Sequence, residues 1–176
     1  MVEPASRSDD APRTLVELLE AQASRRSNRC AYMFRGDDES ETSLTFAELD
    51  LRARVIAATL QRNVSPGERA LLVYPAGLDF IAAFFGCLYA GVLAVPATYP
   101  KPRRPLPRLS MIARDSQATM ALTTSQTLTT LDLARTAPEL QGVQWVATDE
   151  LHDAEAEGWQ RPAVEPGSLA FLQYTS

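Results

Sequence analysis

The stretch LLVYPAGLDFIAAFFGCLYAGVLAVP, Leu71–Pro96, decides the fold of this chain, because it predicts two strands and a helix in one apolar run. Asp79 is its only charged residue. Ala70–Tyr74 lacks polar alternation, which indicates a strand buried on both faces, and Val92–Val95 is the next strand. Leu78–Ala90 is apolar nearly all round and predicts an interior helix. A strand, helix and strand joined by short links imply a parallel pair with a right-handed crossover.

Two capping boxes predict helices before this stretch. In each box, a threonine hydroxyl and the carboxylate of a glutamate three residues later satisfy free amides of the first helical turn. One box begins at Thr14, and its helix should run to about Arg25. The other begins at Thr45 and opens a long amphipathic helix. Between them, Cys30–Arg35 and Ser43–Thr45 are predicted to form a hairpin.

Strands and helices continue to alternate after the stretch. Closely spaced prolines keep the chain extended until about Pro105, where the next helix can begin. Ser125 is the predicted N-cap of a further helix. The remaining predicted strands are Ala118–Thr123, Val143–Ala147 and Ser168–Tyr174. This alternation predicts an α/β fold with a mostly parallel sheet flanked by helices. Residues 1–12 are expected to form a disordered tail.

Composition excludes several classes of function. The 176 residues are 45% apolar and 22% charged, as in an ordinary globular domain with a hydrophobic core. The net charge of −5 argues against nucleic acid or an anionic membrane as a partner. Cys30 and Cys87 lie far apart and His152 is the only histidine, so a zinc site is not expected. Two unpaired cysteines fit a reducing, cytoplasmic location.

A membrane-spanning helix is one alternative to this architecture. Phe80–Pro100 is an uncharged run of bilayer length, and basic residues follow it at positions 101, 103 and 104. Gly91 and Pro96 divide the run, and a strand, helix and strand explain the same residues. We therefore expect no stable insertion into a membrane.

Common catalytic motifs are absent from the sequence. It contains no G-x-G-x-x-G, no complete G-x-x-x-x-G-K-[ST] and no G-x-S-x-G. A Ser-His-Asp triad would need His152, which lies in a polar segment. The last strand remains: apolar Leu169–Leu172 should be buried and should deliver Thr175 and Ser176 to the carboxyl edge of the sheet, where open α/β folds bind ligands. Two hydroxyls there could donate hydrogen bonds to phosphate oxygens, or could simply begin a turn.

Three stretches of the chain resemble the fatty acyl-AMP ligases, which are adenylate-forming enzymes. They are GERALLVYPAGLDFIAAFFGCLYAGVLAVPATYP (Gly67–Pro100), RLSMIARDSQATMALTTS (Arg108–Ser125) and FLQYTS (Phe171–Ser176). The last resembles the opening of that family's phosphate loop, which runs on as Y-T-S-G-[ST]-T-G-x-P-K-G. LTFAEL, which starts at Leu44, also resembles a segment common in the superfamily. The similarity spans about Arg13 to Ser176.

This resemblance implies an activity for the whole enzyme. It would activate a fatty acid with ATP and Mg²⁺, giving acyl-AMP and pyrophosphate. The acyl group would then pass to the thiol of an acyl carrier protein or a polyketide synthase. Such chemistry needs charge neutralisation at the phosphates, which a Ser/Thr/Gly loop, a lysine and Mg²⁺ supply. Thr175 and Ser176 match the first hydroxyl positions of that loop.

Only part of the family pattern is present. The loop's glycines and lysine, the adenine and ribose segments and the small C-terminal domain would all follow Ser176. We therefore expect residues 13–176 to be the incomplete first part of the large N-terminal AMP-binding domain, without a catalytic residue and without tight binding of ATP or Mg²⁺. The last strand would then leave an unpaired edge and exposed apolar surface. Alternatives are a piece of an acyl-CoA ligase or of an amino-acid adenylation domain, and a non-catalytic α/β interaction module.

Overall fold

Helices and strands alternate along most of the chain in the computed structural model, which describes residues 11–97, 99, 106–131 and 140–175. Two short 3₁₀ helices, Thr148–Glu150 and Asp153–Gly158, follow the last strand. The expected tail lies outside the described residues, except for positions 11 and 12. In chain order the elements are α1 (Leu15–Arg25), β1 (Cys30–Arg35), β2 (Glu41–Thr45), α2 (Phe46–Asn63), β3 (Arg69–Leu72), α3 (Leu78–Ala90), β4 (Leu93–Pro96), α4 (Pro107–Ser116), β5 (Met120–Thr123), α5 (Ser125–Leu131) and β6 (Gln144–Ala147).

The predicted parallel sheet is confirmed. Strands β4, β3, β5 and β6 lie side by side in that order, and each neighbouring pair is parallel. Strands β1 and β2 form the predicted hairpin as a separate antiparallel pair. The helices between the parallel strands return the chain to the amino edge of the sheet, so the α/β fold class follows from the alternation seen in the sequence.

Both predicted capping boxes are present. The Glu17 N–H donates to Thr14 Oγ1 at 3.1 Å, and the Thr14 N–H donates back to the Glu17 carboxylate at 3.3 Å. The same exchange joins Glu48 and Thr45, at 3.2 and 2.8 Å. Each box satisfies amides that the helix itself cannot bond. The starts of α1 and α2 are therefore determined by local sequence.

The sheet separates two hydrophobic clusters, and β3 contributes to both. Leu72 faces the larger cluster with α1, α2 and α3, while Leu71 faces the smaller cluster with α4. Both side chains are fully buried. Successive residues of a strand point to opposite faces, so a strand covered on both sides must be apolar at every position. The prediction of burial on both faces is confirmed.

Helix α3 is only partly interior. Its C-terminal half is buried, and Gly86 lets it approach Ile56 of α2 closely. In its first two turns, Phe80 and Phe84 are half-buried, while Ala82 and Ala83 are buried. The prediction of an interior helix is therefore wrong for the face that carries these two rings, because α2 and the sheet cover only part of the apolar circumference. No helix in the described ranges is long and apolar enough to cross a membrane.

The predicted N-cap of α5 is wrong by one residue. The hydroxyl of Thr124, not that of Ser125, accepts the N–H of Thr127 at 3.2 Å. Ser125 instead directs its own N–H and hydroxyl to the carboxylate of Asp149. Serine and threonine are both good N-caps. The Ser125 hydroxyl is not available as a cap because it is hydrogen-bonded to Asp149, which lies 24 residues away in the chain.

The segment from 168 to 175 also differs from its prediction. It meets β4 through one parallel bridge, Ala94 to Phe171, with backbone hydrogen bonds of 3.2 and 2.9 Å. Leu169 is 74% exposed and Phe171 is 44% exposed, so the expected burial of Leu169–Leu172 is wrong. Within the described residues, no strand lies on the other side of this segment. Strand β4 therefore covers one side of this segment, and its outer side has no strand partner among the described residues.

Candidate functional site

Hydroxyl side chains follow three of the parallel strands, where each strand ends. Tyr74 comes just after β3, Thr123 and Ser125 stand at the end of β5, and Thr148 begins the turn after β6. Thr175 follows the segment that pairs with β4. Parallel strands place their carboxyl ends at one edge, and that edge is where open α/β sheets bind ligands. We therefore take this edge as the candidate site.

Two of these hydroxyls and one backbone carbonyl form a hydrogen-bonded chain. Thr148 Oγ1 lies 2.8 Å from the Tyr74 hydroxyl and 3.2 Å from the Thr123 carbonyl oxygen. Thr148 donates its single proton to the carbonyl, so the Tyr74 hydroxyl donates to Thr148. Burial raises the pKa of Tyr74, which keeps this donor protonated. The chain joins the ends of β3, β5 and β6.

A second polar contact holds the start of α5. Asp149 accepts the Ser125 N–H at 2.8 Å and the Ser125 hydroxyl at 2.6 Å. Partial burial acts to raise the pKa of Asp149, but these two hydrogen bonds hold it below its ordinary value. The carboxylate is therefore ionised at neutral pH. It ties the start of α5 to the turn after β6.

An apolar groove opens on the other side of the edge. Its volume is about 630 Å³, and it runs between α3, the hairpin and the segment from 168 to 175. The Phe84 and Phe171 rings meet edge to face, with centroids 5.8 Å apart. The groove extends to Tyr174, one residue before Thr175. Its aromatic lining favours contact with hydrocarbon over contact with charge.

The residues singled out from sequence occupy different places. Thr175 is exposed beyond the pairing segment, and Ser176 lies outside the described residues. Their role at the start of a phosphate loop stays a prediction. Cys87 is fully buried, and burial raises its pKa to about 12, so it behaves as a small hydrophobic residue. Cys30 is exposed, and its thiol contacts the Tyr32 carbonyl oxygen at 3.4 Å.

The residues that build this edge were not predicted from sequence as site residues. Tyr74 and Thr123 are the last residues of two predicted strands, and Thr148 and Asp149 directly follow a third. A comparison of the polar residues that follow successive strands would have grouped them, because parallel strands end at one level. Their hydrogen bonds could not be found in this way, since each joins residues far apart in the chain.

The chain is similar to several known proteins. The family described as AMP-binding enzyme matches residues 19–176. The medium-chain fatty acid–[acyl-carrier-protein] ligase JamA of Moorena producens is 44% identical over 93% of this chain. A long-chain-fatty-acid–AMP ligase of Mycolicibacterium smegmatis is 34% identical over 93% of the chain.

Solved structures agree with these matches. The fatty acyl-adenylate ligase of L. pneumophila, crystallised with acyl adenylate and pyrophosphate, superposes with a TM-score of 0.85 at 31% identity, over 94% of this chain. The chain spans 28% of the length of that protein, 28% of JamA and 27% of the M. smegmatis ligase. The similarity therefore covers nearly all of this chain and less than a third of each relative.

Proposed function

Because this chain belongs to the AMP-binding enzyme family, we propose that it is the N-terminal portion of a fatty acyl-AMP ligase. In the proposed reaction, a carboxylate oxygen of the fatty acid bonds to the α-phosphorus of ATP. The bond from that phosphorus to the bridging oxygen breaks, and pyrophosphate leaves with the electron pair. The thiol sulfur of a carrier protein then bonds to the acyl carbon of the acyl-AMP, AMP leaves with the electron pair of the broken carbon–oxygen bond, and the thiol proton is released. The similarity to JamA at 44% identity carries this proposal.

The proposed role of this chain is to deliver the start of the phosphate loop. Thr175 and Ser176 would donate hydroxyl hydrogen bonds to phosphate oxygens of ATP, where negative charge must be neutralised. The exposure of Thr175 beside the carboxyl edge supports this role. The described residues assemble no group of three acidic, histidine or cysteine side chains that could hold a metal ion, so we assign Mg²⁺ no ligand in them.

We further propose that residues 13–176 form the first part of a larger AMP-binding domain, and that the chain alone neither catalyses adenylation nor binds ATP tightly. The open outer side of the segment from 168 to 175 supports this, since exposed Leu169 and Phe171 are suited to contact with further protein. The proposed acceptor is an acyl carrier protein or a polyketide synthase. The proposed location is the cytoplasm, because an exposed Cys30 thiol suits a reducing compartment.

The test is fatty-acid-dependent exchange of pyrophosphate into ATP by the whole protein. Exchange should need both a fatty acid and Mg²⁺. Thr175→Ala should lower the exchange rate by about 10-fold to 100-fold, because it removes one donor to a phosphate oxygen. Thr130→Ala is the matched control, since Thr130 is exposed and its hydroxyl donates within α5, to the Gln126 carbonyl.

The choice of substrate and acceptor separates the alternatives. Transfer to carrier protein but not to coenzyme A supports the acyl-AMP ligase, and efficient transfer to coenzyme A supports an acyl-CoA ligase. Exchange that depends on an amino acid supports an adenylation domain. A whole protein without exchange for any carboxylate would indicate a non-catalytic module, and exchange by residues 1–176 alone would refute the proposed incompleteness.

A further inference from the structure

One side-chain contact reaches from α4 to the residue before the proposed phosphate loop. The Tyr174 hydroxyl donates to Asp115 Oδ2 at 2.6 Å, across 59 residues of sequence. That hydrogen bond raises the pKa of Tyr174, so the phenol is protonated and acts as the donor at neutral pH. The Tyr174 ring packs against the smaller hydrophobic cluster, beneath α4. Tyr174 is thus held at its ring and at its hydroxyl.

This contact is the last that holds the chain before Thr175. Among the described residues, the Leu172 N–H makes the final backbone hydrogen bond between this segment and β4, at 2.9 Å to the Ala94 carbonyl. After Leu172, the contact that holds this segment is made by the Tyr174 side chain, with Asp115. The position of Thr175 therefore depends on the side chain of the residue before it.

Asp115 carries a negative charge at the end of a helix where negative charge is unfavourable. It lies in the last turn of α4, Pro107–Ser116, which ends with Gln117 in the left-handed conformation at a φ of 55°. The C-terminus of a helix carries partial negative charge, so a carboxylate there is unfavourable by about 0.3–1 kcal/mol. A residue that breaks a local rule is expected to have a compensating role elsewhere. The hydrogen bond from Tyr174 is the role that the structure shows.

We propose that Asp115 is a positioning residue, which holds Tyr174 and thereby sets where the phosphate loop begins at the carboxyl edge of the sheet. The contact itself follows from geometry, while the consequence for phosphate binding rests on the proposed function. Asp115 does not touch substrate in this scheme. It acts through Tyr174 on the placement of Thr175, and a small displacement of a reacting or phosphate-binding group can cost about 100-fold in rate.

The first experiment measures release of Tyr174 without reference to activity. Chymotrypsin cuts after an aromatic residue only when that ring enters the protease, so Tyr174 must first leave α4. In the whole protein, Asp115→Ala should increase cleavage after Tyr174 by about threefold to tenfold, the factor that corresponds to one hydrogen bond. Tyr174→Phe keeps the ring and loses the donor, so it should show a similar increase. The double variant should be cut no faster than either single variant.

Controls separate this effect from loss of stability. Arg114→Ala changes the neighbouring exposed residue of the same helical turn and should leave cleavage after Tyr174 unchanged. Cleavage after Tyr32, in the hairpin, should be equal in all variants. The thermal midpoint of Asp115→Ala should change little, because loss of the hydrogen bond and removal of an unfavourable charge from the helix end oppose each other. Equal cleavage after Tyr174 in Asp115→Ala and the unaltered protein would overturn the proposal.

The second experiment measures fatty-acid-dependent pyrophosphate exchange. Asp115→Ala should lower kcat by about tenfold or more and leave the KM for fatty acid unchanged, since only the phosphate end of the site is displaced. Asp115→Asn keeps an acceptor oxygen and should restore most of the rate. Unchanged kcat in an active Asp115→Ala protein would overturn the positioning role. Absence of exchange in the unaltered protein would count against the proposed function, and the protease experiment would still decide the contact.

Discussion

Two apolar runs of this chain have similar composition and different surroundings. Ala70–Tyr74 and Leu169–Leu172 are both predicted from sequence to be buried strands. The first overlaps β3, which has strands on both sides and a hydrophobic cluster on each face. The second pairs only with β4 in the described part of the chain, and Leu169 is 74% exposed. Apolar composition shows that a segment can be buried, but its neighbours decide whether it is.

The comparison also separates two roles. The region around β3 lies at the centre of the sheet. Polar groups at its end are hydrogen-bonded to one another, as in the chain from Tyr74 to Thr148 to Thr123. The segment from 168 to 175 is held by two backbone hydrogen bonds to Ala94 and by the Tyr174 side chain. Segments with few buried contacts open at low free-energy cost, and binding loops are drawn from such segments.

The largest expected effect comes from truncating the same residue type in each run. Leu71→Ala should lower the free energy of unfolding by about 2–5 kcal/mol, because it leaves a cavity in a fully packed cluster. Leu169→Ala should change it by less than about 0.5 kcal/mol, since most of that side chain already contacts solvent. Urea unfolding of the two variants measures both values. Similar losses would show that the last segment is covered in solution.

A smaller effect is expected at the contact between α2 and α3, which supports β3 from one face. A Cβ added at Gly86 would lie 2.5 Å from Ile56 Cγ2, so the two helices must move apart. Gly86→Ala should lower the free energy of unfolding by about 1–2 kcal/mol, because overpacking exceeds the gain in helix propensity.

Gly142→Ala is the matched control for that variant, because among the described residues no atom apart from its two chain neighbours lies within 4 Å of the added Cβ. Its free energy of unfolding should change by less than about 0.5 kcal/mol. A thermal midpoint for Gly86→Ala that equals or exceeds that of the unaltered chain would contradict the close packing of α2 on α3.

The last prediction concerns the reactivity of the two thiols, which is measured first in the unaltered chain. Cys87 is fully buried with a pKa of about 12, so iodoacetamide should reach it only after the region around α3 opens. Cys30 is exposed and should react about 100-fold faster or more at pH 8. Mass spectrometry of the labelled chain measures both rates. Leu71→Ala should accelerate labelling of Cys87 alone, and equal rates in the unaltered chain would show that α3 is not closed.

Much of the fold was predictable because its signals are local. The capping boxes at Thr14 and Thr45 involve residues three apart, and the bounds of α3 follow from one apolar run that ends at Gly91. The parallel order of β3 and β4 follows from the helix between them. The N-cap of α5 was not predictable, because Ser125 is engaged by Asp149 from another part of the chain.

Less of the candidate site was predictable. Family resemblance pointed to Thr175 and Ser176, and that assignment stays a prediction. The groove beside Phe84 and Phe171 arises where α3 meets a segment about ninety residues later, and the contact of Tyr174 with Asp115 spans 59 residues. Each contact requires knowledge of which elements are neighbours in the sheet, and periodicity carries no such information.

The sequence by itself determined the fold class of this protein, its alternating elements, the starts of α1 and α2 and its membership of the AMP-binding family. The first three follow from side-chain chemistry within a few residues. The family membership follows from sequence similarity over residues 19–176. Only the tertiary structure decided that β3 is enclosed while the last apolar run is half open. It also decided that the Asp115 carboxylate in α4 accepts a hydrogen bond from the Tyr174 hydroxyl. Burial and hydrogen bonding between distant residues depend on which surfaces meet, and that is settled only when the whole sheet is assembled.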